Sequence, residues 1–220
     1  MSLTLYFHPL ASYCHKVLIA LYEAGTPFTP RIVDLSDAAQ RAELASHWPL
    51  CKFPVLHDAA RGRSVPESTI IIEHLDRHAP GPRPLIPADP DAALDVRLWD
   101  RLVDQYVHNP MQEIVLERIR GTGADTAPQR ALLDTSYRLI EQQLGTHAWL
   151  AGDAFTMADC AAAPALFYAT TLQPLPPVLP ALGAYFERLM ARPSVQRTLN
   201  EARPYFRFYP YAEAIPARFR

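Results

Sequence analysis

Five prolines fall within positions 80–90 (Pro80, Pro82, Pro84, Pro87 and Pro90). No regular helix or central strand survives that spacing, because each proline lacks a backbone N–H and has a fixed φ. The stretch reads as a stiff, extended linker. The 220-residue chain is therefore expected to form two domains, 1–79 and 91–220, joined by 80–90. Hydrophobic patterning changes across this boundary, which strengthens the division.

Before the prolines, strand and helix signals alternate. Leu3–Phe7 is a short apolar strand. From Tyr13 onward, Val17, Leu18 and Leu21 share one helical face, and Gly25 stops the run. Phe28–Val33 reads as a second strand, followed by a polar, helix-like stretch from Ser36 to about Ser46. Val55–His57 and Arg63–Val65 flank the turn-rich Asp58–Gly62 segment and read as a hairpin. Ile71, His74, Leu75 and His78 then recur at helical spacing. This order predicts a small mixed sheet with helices on its faces.

After the prolines the pattern is helical throughout. Leu98, Trp99, Leu102, Val103, Tyr106 and Val107 form a stripe until Asn109-Pro110 kinks or ends it. Ile114, Val115, Leu116 and Ile119 resume it up to Gly121. Leu132, Leu133, Tyr137, Ile140 and Leu144 form another stripe, and Leu182, Phe186, Leu189 and Met190 a last one before Arg192-Pro193. Residues 160–186 carry no charged side chain, but five prolines interrupt them. They predict a buried helix and a stiff loop rather than the roughly 20 apolar residues of a membrane span.

Three short motifs carry chemistry. Lys52-Phe53-Pro54-Val55-Leu56 runs an aromatic–proline step into a strand. Its X–Pro bond is expected in the cis state, which proline tolerates for about 0.5–1 kcal/mol. In Pro66-Glu67-Ser68-Thr69 an acid opens a helix, and free N–H groups at a helix start suit a carboxylate ligand. Together these two motifs describe a site that reads a peptide. Thr156-Met157-Ala158-Asp159 has the spacing of a capping box, with Phe155 where a hydrophobic staple sits. Its expected role is folding.

A net charge of −2, without any run of Lys or Arg, gives no electrostatic case for nucleic acid or an anionic membrane. The first residues show no targeting signal. Three widely spaced cysteines, Cys14, Cys51 and Cys160, argue against a disulfide framework and for a cytoplasmic protein. His74 and His78, four residues apart, lack further ligands, so no metal is expected.

The chain resembles the cytosolic, bacterial-type glutathione transferases over nearly its whole length. The resemblance is carried by Tyr6–Gly25, Lys52–Leu56, Pro66–Ser68, the proline linker, Thr156–Asp159 and the closing Arg192-Pro193-Ser194-Val195 turn. It implies a thioredoxin-like N-terminal domain, an all-helical C-terminal domain and a homodimer. It also implies a transferase that joins glutathione, as co-substrate, to a small hydrophobic electrophile. By the same resemblance Phe53, before Pro54, pairs with the cysteinyl part of glutathione, and Lys52 lies near its glycyl carboxylate. Glu67 and Ser68 hold the γ-glutamyl ammonium and carboxylate. Tyr106, His108 and Met111 fall where the family lines its electrophile pocket.

The departure lies at the reactive position. Many family members place Ser or Cys five residues before the basic residue that here is Lys16, and this chain has Ala11. Ser12 is its neighbour, and other members of the family use a serine in that register. Ser12 and Tyr13 are both expected at a helix N-terminus, where an anion gains about 0.3–1 kcal/mol. A hydroxyl there is expected to donate to the glutathione sulfur and lower its pKa. Cys14 is the competing candidate, through a mixed disulfide with glutathione, and His8 approaches from the strand end. A glutathione-dependent isomerase or dehalogenase, thiol–disulfide exchange through Cys14, and a glutathione binder without turnover remain open alternatives. The aromatic tail Arg203–Tyr211 is expected either to cover the pocket mouth or to pack on its own domain.

Overall fold

A computed structural model describes residues 3–220. Met1 and Ser2, the start of the segment read above for targeting signals, lie outside the described residues. The chain divides into two compact units, Met1–Leu85 and Ile86–Arg220.

In the first unit, strand β1 (Leu3–Phe7) is followed by helix α1 (Ser12–Ala24), strand β2 (Thr29–Ile32) and helix α2 (Ala38–His47). Strands β3 (Val55–Asp58) and β4 (Arg63–Pro66) precede helix α3 (Ser68–His78). The sheet order is β2-β1-β3-β4. β1 and β2 are parallel, which requires the α1 crossover, whereas β3 is antiparallel to both β1 and β4. This is the thioredoxin-like arrangement. The hairpin register pairs His57 with Ser64.

α1 is buried from Cys14 through Leu21, as expected of a helix covered on most sides. Gly25 ends it with φ 64° and returns its N–H to the carbonyls of Leu21 and Tyr22. The proline-rich segment begins as part of this unit rather than as a free spacer. A Cβ on Gly81 would lie 2.4 Å from the Ala24 Cα, so only glycine lets the chain pass α1 so closely. Leu85 is buried, and its N–H donates to Asp76 Oδ1 at 2.8 Å.

The second unit is helical: α4 (Pro90–Val103), α5 (Asn109–Arg120), α6 (Ala127–Leu144), α7 (Met157–Leu172), α8 (Pro180–Met190) and α9 (Pro193–Ala202). The sequence had predicted a turn where α9 begins. Pro193 lies at its N-terminal end, where a missing N–H costs nothing. α7 is the centre, with every residue buried except Thr170.

The break expected at Asn109-Pro110 is a change of ladder rather than an end. Residues Asp104–His108 form a π-helical turn between α4 and α5. Pro110 has no N–H for the carbonyl of Tyr106, four residues back. The Ser136 hydroxyl of α6 fills that role at 2.8 Å and is shared with the carbonyl of Leu132. Asn109 N–H reaches one residue further than an α-helix allows, to Asp104 O.

The capping box at the start of α7 is complete. Thr156 N–H donates to Asp159 Oδ2 at 2.8 Å, and the Thr156 side chain accepts from the helix's third N–H. Asp159, fully buried, also accepts from Leu150 N–H at 3.1 Å and from the Tyr185 hydroxyl at 2.6 Å. Phe155 packs edge-on against Trp149 and lies under the Arg192 guanidinium at 3.8 Å. The tail packs on its own unit, forming a 3-10 turn over Arg203–Phe208. Phe206 and Phe219 meet Phe167, and the Tyr209 hydroxyl shares a 2.8 Å hydrogen bond with Thr171.

Candidate functional site

Two helix starts in the first unit differ from the rest. α1 and α3 have neither a side-chain cap nor a proline in their first turn. By contrast Asp37 caps α2, Asp89 caps α4 and Thr156 caps α7. α5, α6, α8 and α9 carry proline at the first or second position. Neither the α1 nor the α3 terminus is closed by the side chain of its own N-cap residue, and each presents the positive end of a helix dipole.

The loop before β3 lies in the same unit. Phe53–Pro54 is cis. Pro54 is buried, Phe53 half-buried and Lys52 exposed, so the ammonium is accessible while the proline is locked in the fold. Two non-glycine residues have left-handed backbone among the described residues: Cys51 with φ 49° and Glu67 with φ 68°. Such conformations cost on the order of 1–3 kcal/mol each and concentrate at functional sites. One precedes Lys52, and the other is the N-cap of α3. The sequence signals read for Lys52 and Glu67 did not reveal this strain, because φ is not a compositional property.

Ser68 opens α3 and is buried, whereas Glu67 is exposed. α1 is linked to the start of α3 by Lys16, fully buried, whose Nζ donates to Thr69 Oγ1 at 2.8 Å. Nothing in the sequence joined these residues, 53 positions apart. The buried ammonium brings positive charge to the first turn of α3.

The reactive candidates separate by exposure. Ala11, the N-cap of α1, brings only a methyl group. Ser12 is 5% exposed, and Tyr13 is half-buried. Cys14 is fully buried, and burial pushes its thiol pKa well up. That placement opposes the expected mixed disulfide, since a thiol becomes a nucleophile only as an accessible thiolate. Cys14 packs the inner face of α1 instead. His8, at the end of β1, is half-buried, and burial lowers its pKa against a small opposing pull from Asp34. Its ring stacks on Phe53 with centroids 6.1 Å apart.

Tyr106 belongs to the second unit. It sits in the π turn, 45% exposed, beside an apolar cavity of about 220 Å³. Trp99, Leu102, Leu132 and Leu139 also line that cavity. His108 and Met111 are buried, so core packing accounts for both. Among the described residues, no group of three or more His, Cys, Asp or Glu could hold a metal ion, and no helix is long and apolar enough to cross a membrane.

Two family descriptions match this chain: the glutathione S-transferase N-terminal domain over residues 5–83 and the C-terminal domain over 115–188. The chain is 32% identical to a glutathione S-transferase from Methylobacterium radiotolerans, solved in complex with glutathione sulfonate. That match covers 90% of this chain and 94% of the other, with a TM-score of 0.76. A glutathione S-transferase from Methylobacillus flagellatus with glutathione bound is 26% identical, covering 89% and 98%, with a TM-score of 0.78. A stringent starvation protein A homolog of Coxiella burnetii is 29% identical, covering 91% of this chain and 92% of that one.

Proposed function

The chain belongs to the glutathione S-transferase family, and on that premise we propose that it binds glutathione in the first unit, holds its sulfur as the thiolate and adds it to a small hydrophobic electrophile. The observation that carries this reading is the pair of uncapped starts at α1 and α3, with the cis-Pro54 loop in the same unit. In the proposed complex, α3 receives the γ-glutamyl carboxylate at the Ser68 N–H and hydroxyl, and Glu67 pairs with the ammonium. Opposite charges at one end of a zwitterion fix its direction. Phe53 offers its backbone to the cysteinyl residue, and Lys52 meets the glycyl carboxylate. The α1 dipole then favours the ionised sulfur.

Similar proteins have been solved with glutathione or glutathione sulfonate bound, which supports the ligand. Tyr106 and its apolar cavity support an electrophile with hydrophobic bulk. All three cysteines are free, which suits a reducing cytoplasm. Leu94 and Leu98 of α4, 64% and 50% exposed, form an apolar row consistent with a homodimer.

The test is calorimetric titration of glutathione in two buffers of different ionisation enthalpy, followed by turnover with a panel of electrophiles. Binding with proton release and conjugate formation are the expected results. One observation favours a second reading, a glutathione-binding protein without turnover: Ala11 stands where the family places a reactive hydroxyl or thiol. Tight binding without proton release, and no product from any electrophile, would establish that reading instead.

A further inference from the structure

Ala11, the N-cap of α1, brings only a methyl group to the position just before the helix, and one nearby side chain outside the helix has the chemistry of a donor to a thiolate. His8 ends β1, and its carbonyl accepts the Ala11 N–H at 3.0 Å, so the imidazole is tied by a single turn to the start of α1. On its other side the ring lies nearly parallel to Phe53, 21° between planes, beside the cis-Pro54 step. The Leu10 N–H donates to His8 Nδ1 at 3.2 Å. That bond makes Nδ1 an acceptor and sets the neutral tautomer, with its proton on Nε2. The ring is also half-buried, so it is held in place while part of it meets solvent.

We propose that His8 is a catalytic residue that donates its Nε2–H to the glutathione sulfur and stabilises the thiolate. This inference rests on the proposed glutathione site. The thiol S–H bond breaks and its proton leaves to solvent. The imidazole keeps its own proton throughout and makes a charge-assisted N–H···S⁻ hydrogen bond, so nothing is oxidised or reduced. Burial lowers the His8 pKa, with Asp34 opposing, which keeps the ring neutral and its tautomer defined near neutral pH. Ser12 is the competing donor; it is the more deeply buried of the two, 5% exposed against the half-buried His8.

The experiment measures the pKa of bound glutathione from its ultraviolet thiolate absorbance, alongside affinity for S-methylglutathione, which has no thiol to ionise. His8→Phe retains a ring against Phe53 and removes the donor, and His8→Gln retains a donor. His8→Phe is expected to raise the bound thiol pKa by about one unit, roughly a tenfold loss of thiolate, with S-methylglutathione affinity changed less than about threefold. His8→Gln is expected to recover part of the shift. An unchanged thiol pKa in folded His8→Phe overturns the assignment. So does a comparable rise in Ser12→Ala or Tyr13→Phe with none in His8→Phe. Failure of the unaltered protein to bind either ligand overturns the glutathione reading itself, and the role of His8 falls with it.

Discussion

The starts of α3 and α7 solve the same physical problem in opposite ways. Each must satisfy backbone N–H groups that no helix can satisfy internally. At α7 the chain does so itself: Thr156 and Asp159 close a reciprocal box, and Leu150 and Tyr185 donate to the same carboxylate. At α3 the N-cap is Glu67 in a left-handed conformation, with no side-chain cap. One terminus is closed by its own N-cap side chain, and the other has a strained N-cap residue whose side chain makes no such bond. The comparison teaches where to look for a ligand: at the helix start that the sequence leaves incomplete.

The largest effect should come from dismantling the finished terminus. Asp159→Ala leaves several buried donors without an acceptor, at about 1–3 kcal/mol each, so a loss of about 3 kcal/mol or more is expected in urea melts. A loss below about 1 kcal/mol would mean that the box is dispensable and that the contrast with α3 is only geometric. Next is the open terminus. Glu67→Gln should lower glutathione affinity about 10–100-fold, the 1.5–3 kcal/mol of a charge-assisted hydrogen bond, with little change in melting temperature. Equal loss of stability and affinity would make Glu67 a structural residue.

A smaller and sharper change gives α1 the cap it lacks. Ala11→Asp should stabilise the protein by about 1 kcal/mol through an N-cap bond and weaken glutathione binding, because a carboxylate then occupies the donors proposed for the sulfur. Stabilisation with unchanged binding would separate the α1 terminus from the ligand.

The smallest expected effect is on pH dependence. Burial raises the pKa of Asp58, but hydrogen bonds from His74 and Arg61 outweigh it, and the net shift is downward. Its stabilising contribution is therefore present above the unfolded value of about 3.9 and is lost as pH falls through the lower folded value. Burial moves Asp159 the other way, so its linkage weakens stability as pH rises through the raised value. Acid melts of Asp58→Asn should show less loss below about pH 4 than the unaltered protein. Identical acid profiles would remove Asp58 from the account.

Much of this protein was legible residue by residue. A short apolar run located β1, turn residues located the β3–β4 hairpin, and helical spacing located most helices, because burial on one face of a helix dictates which positions are apolar. Phe53-Pro54, Pro66–Ser68 and the Thr156–Asp159 box are local motifs, and their meaning is carried by neighbours in the chain. Pro193 marks a turn in the sequence and begins a helix in the structure, since proline suits both.

What the sequence determined by itself was therefore local: the elements, the capping box, the cis-proline step, and the absence of a hydroxyl at Ala11. Only the tertiary structure decided which side chains are accessible and which distant groups meet. It buried Cys14 and Ser12, joined Lys16 to Thr69, put the Ser136 hydroxyl where Pro110 had removed a donor, and stacked His8 on Phe53. The physical reason is that periodicity records which face of an element is apolar, whereas reactivity depends on exposure and partners contributed by other elements packed against it.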